Sequence, residues 1–441
     1  REVEERSNIE NITEVFTKSI SNIILILIFV LMDCFNLVFL GQANEDFVNF
    51  EVGVIYLNLF CFAFSLGVIY SHEHLLDKAK NDGIKIHKIY LIAKDQILLV
   101  TLFLVLPVAL LSYYILFEFY DVWNVYVNFL IYSPLIIYFK LMIHLNLKTL
   151  NKTRNNITIC IIIYIVLHLS FLYLFTKSFG MFGVTLAMII SSAITFVFSH
   201  VFYITKLFSL FNFNLVSLFK INLSNSKEML ISSAMKGFSA YLDYLGYGII
   251  MLSAYSFGNL LVPHIILYSL ISVPHTISEG FAITIRNYLV EMKHVKASYE
   301  SRKKYILCFV VLLITVALSF SLIFLSLEEK LAIIYYPQLN EEMKVIFTDI
   351  LSYYSIFIIF DFFSNVLDGF IKGKEGESMK LSIYKAVVFC LICIPVGLFI
   401  TFYYNIGLLG IWITIFVYVS IHFLADMIYV YKVHGLYAFK E

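Results

Sequence analysis

Apolar residues in this chain come in long uninterrupted runs rather than in the spaced patterns of a water-soluble core. A helix that crosses a bilayer needs about 20 mostly apolar residues and must bond every backbone polar group within itself, so such runs translate almost directly into helices. They predict membrane spans over Ile12–Leu40, Phe50–Leu76, Ile89–Phe117, Asn124–Leu147, Ile157–Thr176, Phe182–Phe208, Glu228–Phe257, Leu260–Leu289, Tyr305–Leu327, Lys344–Ile371, Leu381–Tyr404 and Leu408–Tyr431. The expected fold is an all-α membrane protein of about twelve transmembrane helices.

Between the runs, basic residues alternate. The Gly41–Asn49 and Glu118–Trp123 turns carry none, whereas Lys78, Lys80, Lys85 and Lys88 share one connection, Lys148, Lys152 and Arg154 the next even one, and Lys293, Lys296, Arg302, Lys303 and Lys304 another. Lys372, Lys374 and Lys380 complete the series. Because Lys and Arg stay on the cytoplasmic side of short loops, both termini are expected to be cytoplasmic, in the plasma membrane or an organellar membrane. The polar stretch 209–227 reads as a linker between halves that share an orientation, giving a cytoplasmic segment 1–11, an N-terminal lobe 12–208, a C-terminal lobe 228–431 and a cytoplasmic tail 432–441. A faint internal echo supports two halves: Gly180, Met181, Phe182, Gly183 against Gly407, Leu408, Leu409, Gly410.

Composition narrows the function classes. Of 441 residues, 61% are hydrophobic and 14% charged, and the formal net charge is zero, so nucleic acid is not an expected partner. Cys34, Cys61, Cys160, Cys308, Cys390 and Cys393 all lie in apolar runs, where free cysteine behaves as a small hydrophobe, and neither disulfides nor zinc is expected. Ile20–Leu40 is too long for a signal-peptide core and is expected to remain as a helix. Loops shorter than about 20 residues leave no room for a soluble catalytic domain, so no enzyme is expected.

The chemistry sits where charge is costly. An Asp at mid-helix costs roughly 2.5 to 3.5 kcal/mol on insertion scales, and such residues mark ion or solute paths. Asp33, Asp243 and Asp361 stand well inside predicted spans, each in a polar stripe at helical spacing: Asn36 after Asp33, Ser239 and Tyr247 around Asp243, and Asn365 and Asp368 after Asp361. His264, Tyr268, His275 and Glu279 fall on one face of the eighth span, and these stripes are expected to meet around a central wet cavity. A structural ion pair with Lys236 also accounts for Asp243, and an interhelical hydrogen bond accounts for His275 and Glu279. Lys140, His144 and His168 can line the other half or make single interhelical bonds. His72, Glu73 and His74 carry metal-ligand residue types, but no second histidine box accompanies them.

Five segments in register resemble the MATE family of multidrug and toxic compound extrusion transporters. They are the run from Met32 and Asp33 to Gly41, the interval from Asp243 to Gly258, the run from Asp361 through Leu367, Asp368, Gly369, Phe370, Ile371, Lys372 and Gly373, then Ile394, Pro395, Val396, Gly397, Leu398, and finally Gly407, Leu408, Leu409, Gly410, Ile411, Trp412. The resemblance implies two six-helix lobes around a central cavity and export of small organic, cationic solutes by a monomer. It also implies H+ or Na+ as coupling ion, with Na+ at Asp243 and Asp361, and no cofactor. A binding set of Asp33, Asn36, Asp243, Tyr247, His275, Glu279, Asp361 and Asn365 follows from the stripes and the resemblance together. The alternatives are a flippase of related fold carrying a lipid-linked oligosaccharide, and an intramembrane enzyme.

Overall fold

The computed structural model describes residues 8–43, 48, 50, 51, 53, 54, 58–79, 82–111, 123–152, 157–210, 227–254, 261–292, 299–375 and 379–434. Each predicted span is helical wherever these residues cover it. Helix α1 is Asn8–Gln42; α2 is Ala63–Lys78, entered through a π-helical turn at Asn58–Phe62; α3 is Gly83–Val100, continued by a π turn at Thr101–Val105; and α4 is Trp123–Lys152. The stretch Ile157–Leu210 is interrupted at Gly180, which divides it into α5 (157–179) and α6 (181–210). Then come α7, Lys227–Ala254; α8, Leu261–Met292; α9, Tyr299–Tyr335; and α10, Glu341–Glu375. The last two are α11, Met379–Val388 with a π turn at Phe389–Cys393 and the continuation Ile394–Tyr403, and α12, Leu408–His434.

Eight stretches among the described residues are long and apolar enough to cross a membrane, and the one over Ile157–Thr205 holds both α5 and α6. Large apolar side chains such as Phe103, Leu322 and Leu391 point outward, as lipid-facing residues do. The protein is therefore an all-α membrane protein. Several helices outrun their predicted spans: α3 starts at Gly83 and α4 ends at Lys152, and α9 runs past Leu327 through Glu328, Glu329 and Lys330 to Tyr335. Polarity marks where lipid ends, whereas the helix goes on, with Glu328 accepting from Ser352 of α10 at 2.8 Å.

Prolines shape α3 and α11 in the same way. Each π turn stops two residues short of a proline, Pro107 or Pro395, and the N–H before that proline reaches five residues back, from Leu106 to Thr101 and from Ile394 to Phe389. The widened turn keeps the proline ring off the carbonyl four residues earlier. The glycine echo also has a structural counterpart. Gly180 and Gly407 both take positive φ, 55° and 68°, at the breaks that start α6 and α12. Gly183 and Gly410 then lie where a Cβ would strike the preceding helix, at the Phe175 carbonyl and at Thr401 respectively.

The helices form two compact units. One contains α1 as far as Cys34 together with α8 to α12; the other runs from Phe35 through α7 to Leu252.

Candidate functional site

In the first unit, glycines let three helices approach closely. A Cβ on Gly369 of α10 would lie 2.7 Å from the Ala282 Cα on α8, one on Gly373 would lie 3.1 Å from the Arg286 Cα, and one on Gly280 would lie 2.8 Å from the Ile23 Cα on α1. Small residues at such crossings allow backbone contact and short polar links, here Asn22 Nδ2 donating to Thr284 Oγ1 at 3.0 Å.

One turn to two turns away along α8, the same crossing presents His275 to Asp361. The imidazole Nδ1 lies 3.0 and 3.1 Å from the two carboxylate oxygens. Tyr354 donates to Asp361 Oδ2 at 3.3 Å, and Asn365 Nδ2 donates to Ser278 Oγ at 2.6 Å while lying 3.2 Å from His275 Nδ1. Glu279 stands 4.0 Å from His275 Nε2. Asp361 is buried, with its side chain 7% exposed, but those of His275 and Glu279 are about a third exposed, so the pair is open on the imidazole side. With neutral imidazole the pair carries one negative charge, and one added proton cancels it.

Four of the expected residues, His275, Glu279, Asp361 and Asn365, thus stand together. Asp33 is half-buried on the α1 segment of the same unit. Asn36 falls in the other unit, where its Oδ1 lies 3.0 Å from His168 Nε2 and His168 Nδ1 lies 2.9 Å from Ser191 Oγ. The side chains of Asp243 and Tyr247 lie outside the described residues. His264 packs edge-on against Trp412 at 5.5 Å, in the apolar interior.

Further charged groups inside the helices were not among the expected set. Lys148, counted above with a loop, lies within α4 and makes a buried ion pair with Glu73 of α2 at 3.0 Å. Next to it His72 Nε2 sits 3.3 Å from Thr149 Oγ1. Lys94 and Asp95 pair at 3.1 Å on α3. In the first unit Asp368 receives Lys372 at 2.6 Å and Lys385 at 2.7 Å, and Lys385 also reaches Asp426 at 3.3 Å. Asp95, Lys385 and Asp426 all fall inside predicted spans, so the cost of intramembrane charge singles them out as readily as it does Asp361. Among the described residues no group of three or more His, Cys, Asp or Glu could hold a metal ion; the His74 side chain is not among them.

No family model matches the sequence, and no curated protein matches it. Solved structures do match. A MOP superfamily transporter from Pyrococcus furiosus, described as having a binding pocket of reverse polarity, aligns over 98% of this chain and 97% of its own at 14% identity, with a TM-score of 0.76. The outward-facing form of a multidrug resistance MATE family transporter gives the same identity, coverage and score. A eukaryotic MATE transporter aligns over 95% of this chain and 96% of its own at 14% identity and TM-score 0.75. The chain therefore has the fold of the MATE transporters of the MOP superfamily.

Proposed function

We propose that the chain is a secondary transporter of the multidrug-efflux type that moves small organic cations in exchange for H+ or Na+, with the two lobes opening the path alternately to either side of the membrane. The observation that carries this reading is the His275–Asp361 pair, with Glu279 beside it and Asn365, Ser278 and Tyr354 around it. The unprotonated pair is anionic and open on one side, so it attracts a cation. A proton entering between Nδ1 and the carboxylate makes the pair neutral and weakens that attraction. Proton and organic cation therefore compete for one site, which gives exchange without a nucleotide. Sodium could take the proton's place on Asp361 with the Asn365 amide oxygen as a neutral ligand. The acidic character of this cluster, and the engagement of Lys148 and Lys385 with carboxylates, favour a cation over a lipid-linked pyrophosphate. In this reading the protein acts as a monomer in the bilayer, with both termini cytoplasmic.

The test is gradient-driven exchange of ethidium in proteoliposomes under an imposed pH or Na+ gradient. Asp361→Asn and Asp243→Asn are each expected to abolish exchange while the protein elutes as a folded species, and His275→Gln is expected to move its pH dependence. Wild-type exchange in both aspartate variants would remove the mechanism.

A further inference from the structure

A second buried carboxylate in the first unit is placed differently from Asp361. Asp426 on α12 is 1% exposed, and neither of its oxygens has a hydrogen-bond donor. The nearby cations are already engaged: Asp368 takes the short contacts of both Lys372 and Lys385, which leaves Asp426 only the 3.3 Å approach of Lys385. Across from it, His422 Nε2 also lacks a hydrogen-bond partner and stands 3.9 Å from Asp426 Oδ2. The other imidazole nitrogen, Nδ1, is 2.8 Å from Ser364 Oγ on α10, on the helix that carries Asp361. Tyr418 stacks on the His422 ring at 5.4 Å, and Phe389 stacks on Tyr418 at 3.7 Å, so the pair is walled by aromatic rings.

A buried carboxylate whose only close ammonium among the described residues is drawn more tightly to another acid gains from taking a proton, because neutral acid avoids part of the cost of a poorly solvated charge. The charges facing the pair are Asp368 and Lys372 on α10 and Lys385 on α11. With both carboxylates ionised, both lysines charged and His422 neutral, the group sums to zero, and a bound proton makes it positive. The fold itself does not ask for an acid here. Gly183 to Ser199 in α6 is the same interval as Gly410 to Asp426 in α12, and Ser199 is a neutral, buried hydroxyl that accepts from Asn146 at 2.9 Å.

We propose that Asp426 and His422 form a proton-binding site separate from the His275–Asp361 pair. A proton from solvent bonds to Asp426 Oδ2. A small rotation of the carboxyl group points that O–H at the His422 Nε2 lone pair, which accepts it while Nδ1–H stays donated to Ser364 Oγ; as pH rises the proton returns to solvent and Asp426 to carboxylate. The inference stands on this geometry and does not require that the chain transports anything.

Infrared difference spectroscopy of the full-length protein in lipid, titrated with pH, reads it directly. The expected result is a carboxylic-acid C=O band that disappears as pH rises, is missing from Asp426→Asn and persists in Asp361→Asn. His422→Gln, which leaves every ion pair in place, is expected to move the band's midpoint by about one pH unit, the size of shift that a lost hydrogen-bonding partner gives. An Asp426→Asn spectrum identical to wild type across the range, or an unmoved midpoint in His422→Gln, would overturn the proposal. Ethidium exchange in the same variants is a separate readout: loss of the band with no exchange in any protein would refute transport and leave the proton site standing.

Discussion

A close helix approach in the second unit offers a sharp test of how this fold is held together. Gly67 and Ser71 on α2 face Ser233 and Gly237 on α7, small residues spaced four apart on each helix. A Cβ on Gly67 would press on the Ser233 carbonyl and the Gly237 nitrogen and stand 2.5 Å from the Gly237 Cα. Carbon atoms rest at about 3.5 to 4.0 Å, so Gly67→Ala must push the helices apart by about 1 to 1.5 Å. Overpacking by a methyl group costs about 1 to 3 kcal/mol, and the upper end applies because the blocking atoms are backbone that cannot swing aside. Separation also stretches the Ser71–Ser232 bond of 2.9 Å and the Lys236 Nζ donation to the Tyr70 carbonyl of 3.2 Å. Those bonds add about 0.6 kcal/mol each, for a total of about 3 to 4 kcal/mol. Thermal unfolding of the detergent-purified protein should then fall by roughly 10 °C for a unit of this size. Ala234→Val, at an exposed position on the same helix, should leave the transition in place. If Gly67→Ala melts within about 1 °C of wild type, the close crossing does not stabilise the unit and the reasoning fails.

Other outcomes follow from single contacts. Lys148→Met should cost about 3 to 5 kcal/mol by taking the paired ammonium from the buried Glu73 carboxylate, and Glu73→Gln combined with it should recover most of the loss in the same melting assay. Gly180→Ala forces a Cβ into φ 55°, ψ −132°, a region that essentially only glycine occupies, at about 1 to 3 kcal/mol; Gly407→Ala at φ 68° should melt higher than Gly180→Ala. Asp82 caps α3 by accepting from the Lys85 and Ile84 backbone N–H groups at 3.2 and 3.1 Å, and the Lys85 N–H foremost holds its carboxyl below the usual carboxylate range. A depressed folded value means the cap's contribution is present above the ordinary carboxylate value and is lost as pH falls through the depressed one. Hydrogen-exchange protection of the Ile84 and Lys85 amides should therefore drop on acidification in wild type and stay flat with pH in Asp82→Asn.

The helices were legible because lipid leaves the backbone one option: a run of the right length has to be helical. What polarity misplaced were ends and turns governed by other forces. Helix α9 continues to Tyr335 past the polar Glu328, Glu329 and Lys330, because polarity ends a lipid-facing run without ending a helix. The π turns of α3 and α11 answer to a proline two residues ahead, and proline by itself predicts a kink without saying how the backbone relieves it. The glycine echo carried more than its length suggested, since Gly180 and Gly407 share a backbone conformation as well as a residue type.

Half of the candidate site could be read from helical spacing, because Asp361 and Asn365 share one helix, His275 and Glu279 another, and spacing is enough to place each pair on a face. Which face meets which depends on rotation and register between helices, which spacing does not give; Lys148 was counted with a loop for a different reason, because polarity ended the span at Leu147 while α4 continues to Lys152. The partner each buried charge finds then separates its possible roles. Asp368 lies between two ammonium groups, and Glu73 holds one, so these acids are neutralised by groups that keep their charge across the physiological range. Asp361 instead faces an imidazole, and Asp426 has one beside it as well as Lys385; an imidazole, unlike an ammonium, has a nitrogen that can accept a proton. A carboxylate held by ammonium groups alone stays ionised, whereas one that also has an imidazole beside it has a neighbour able to take up a proton, and it is at those two positions that proton chemistry in this fold should be sought.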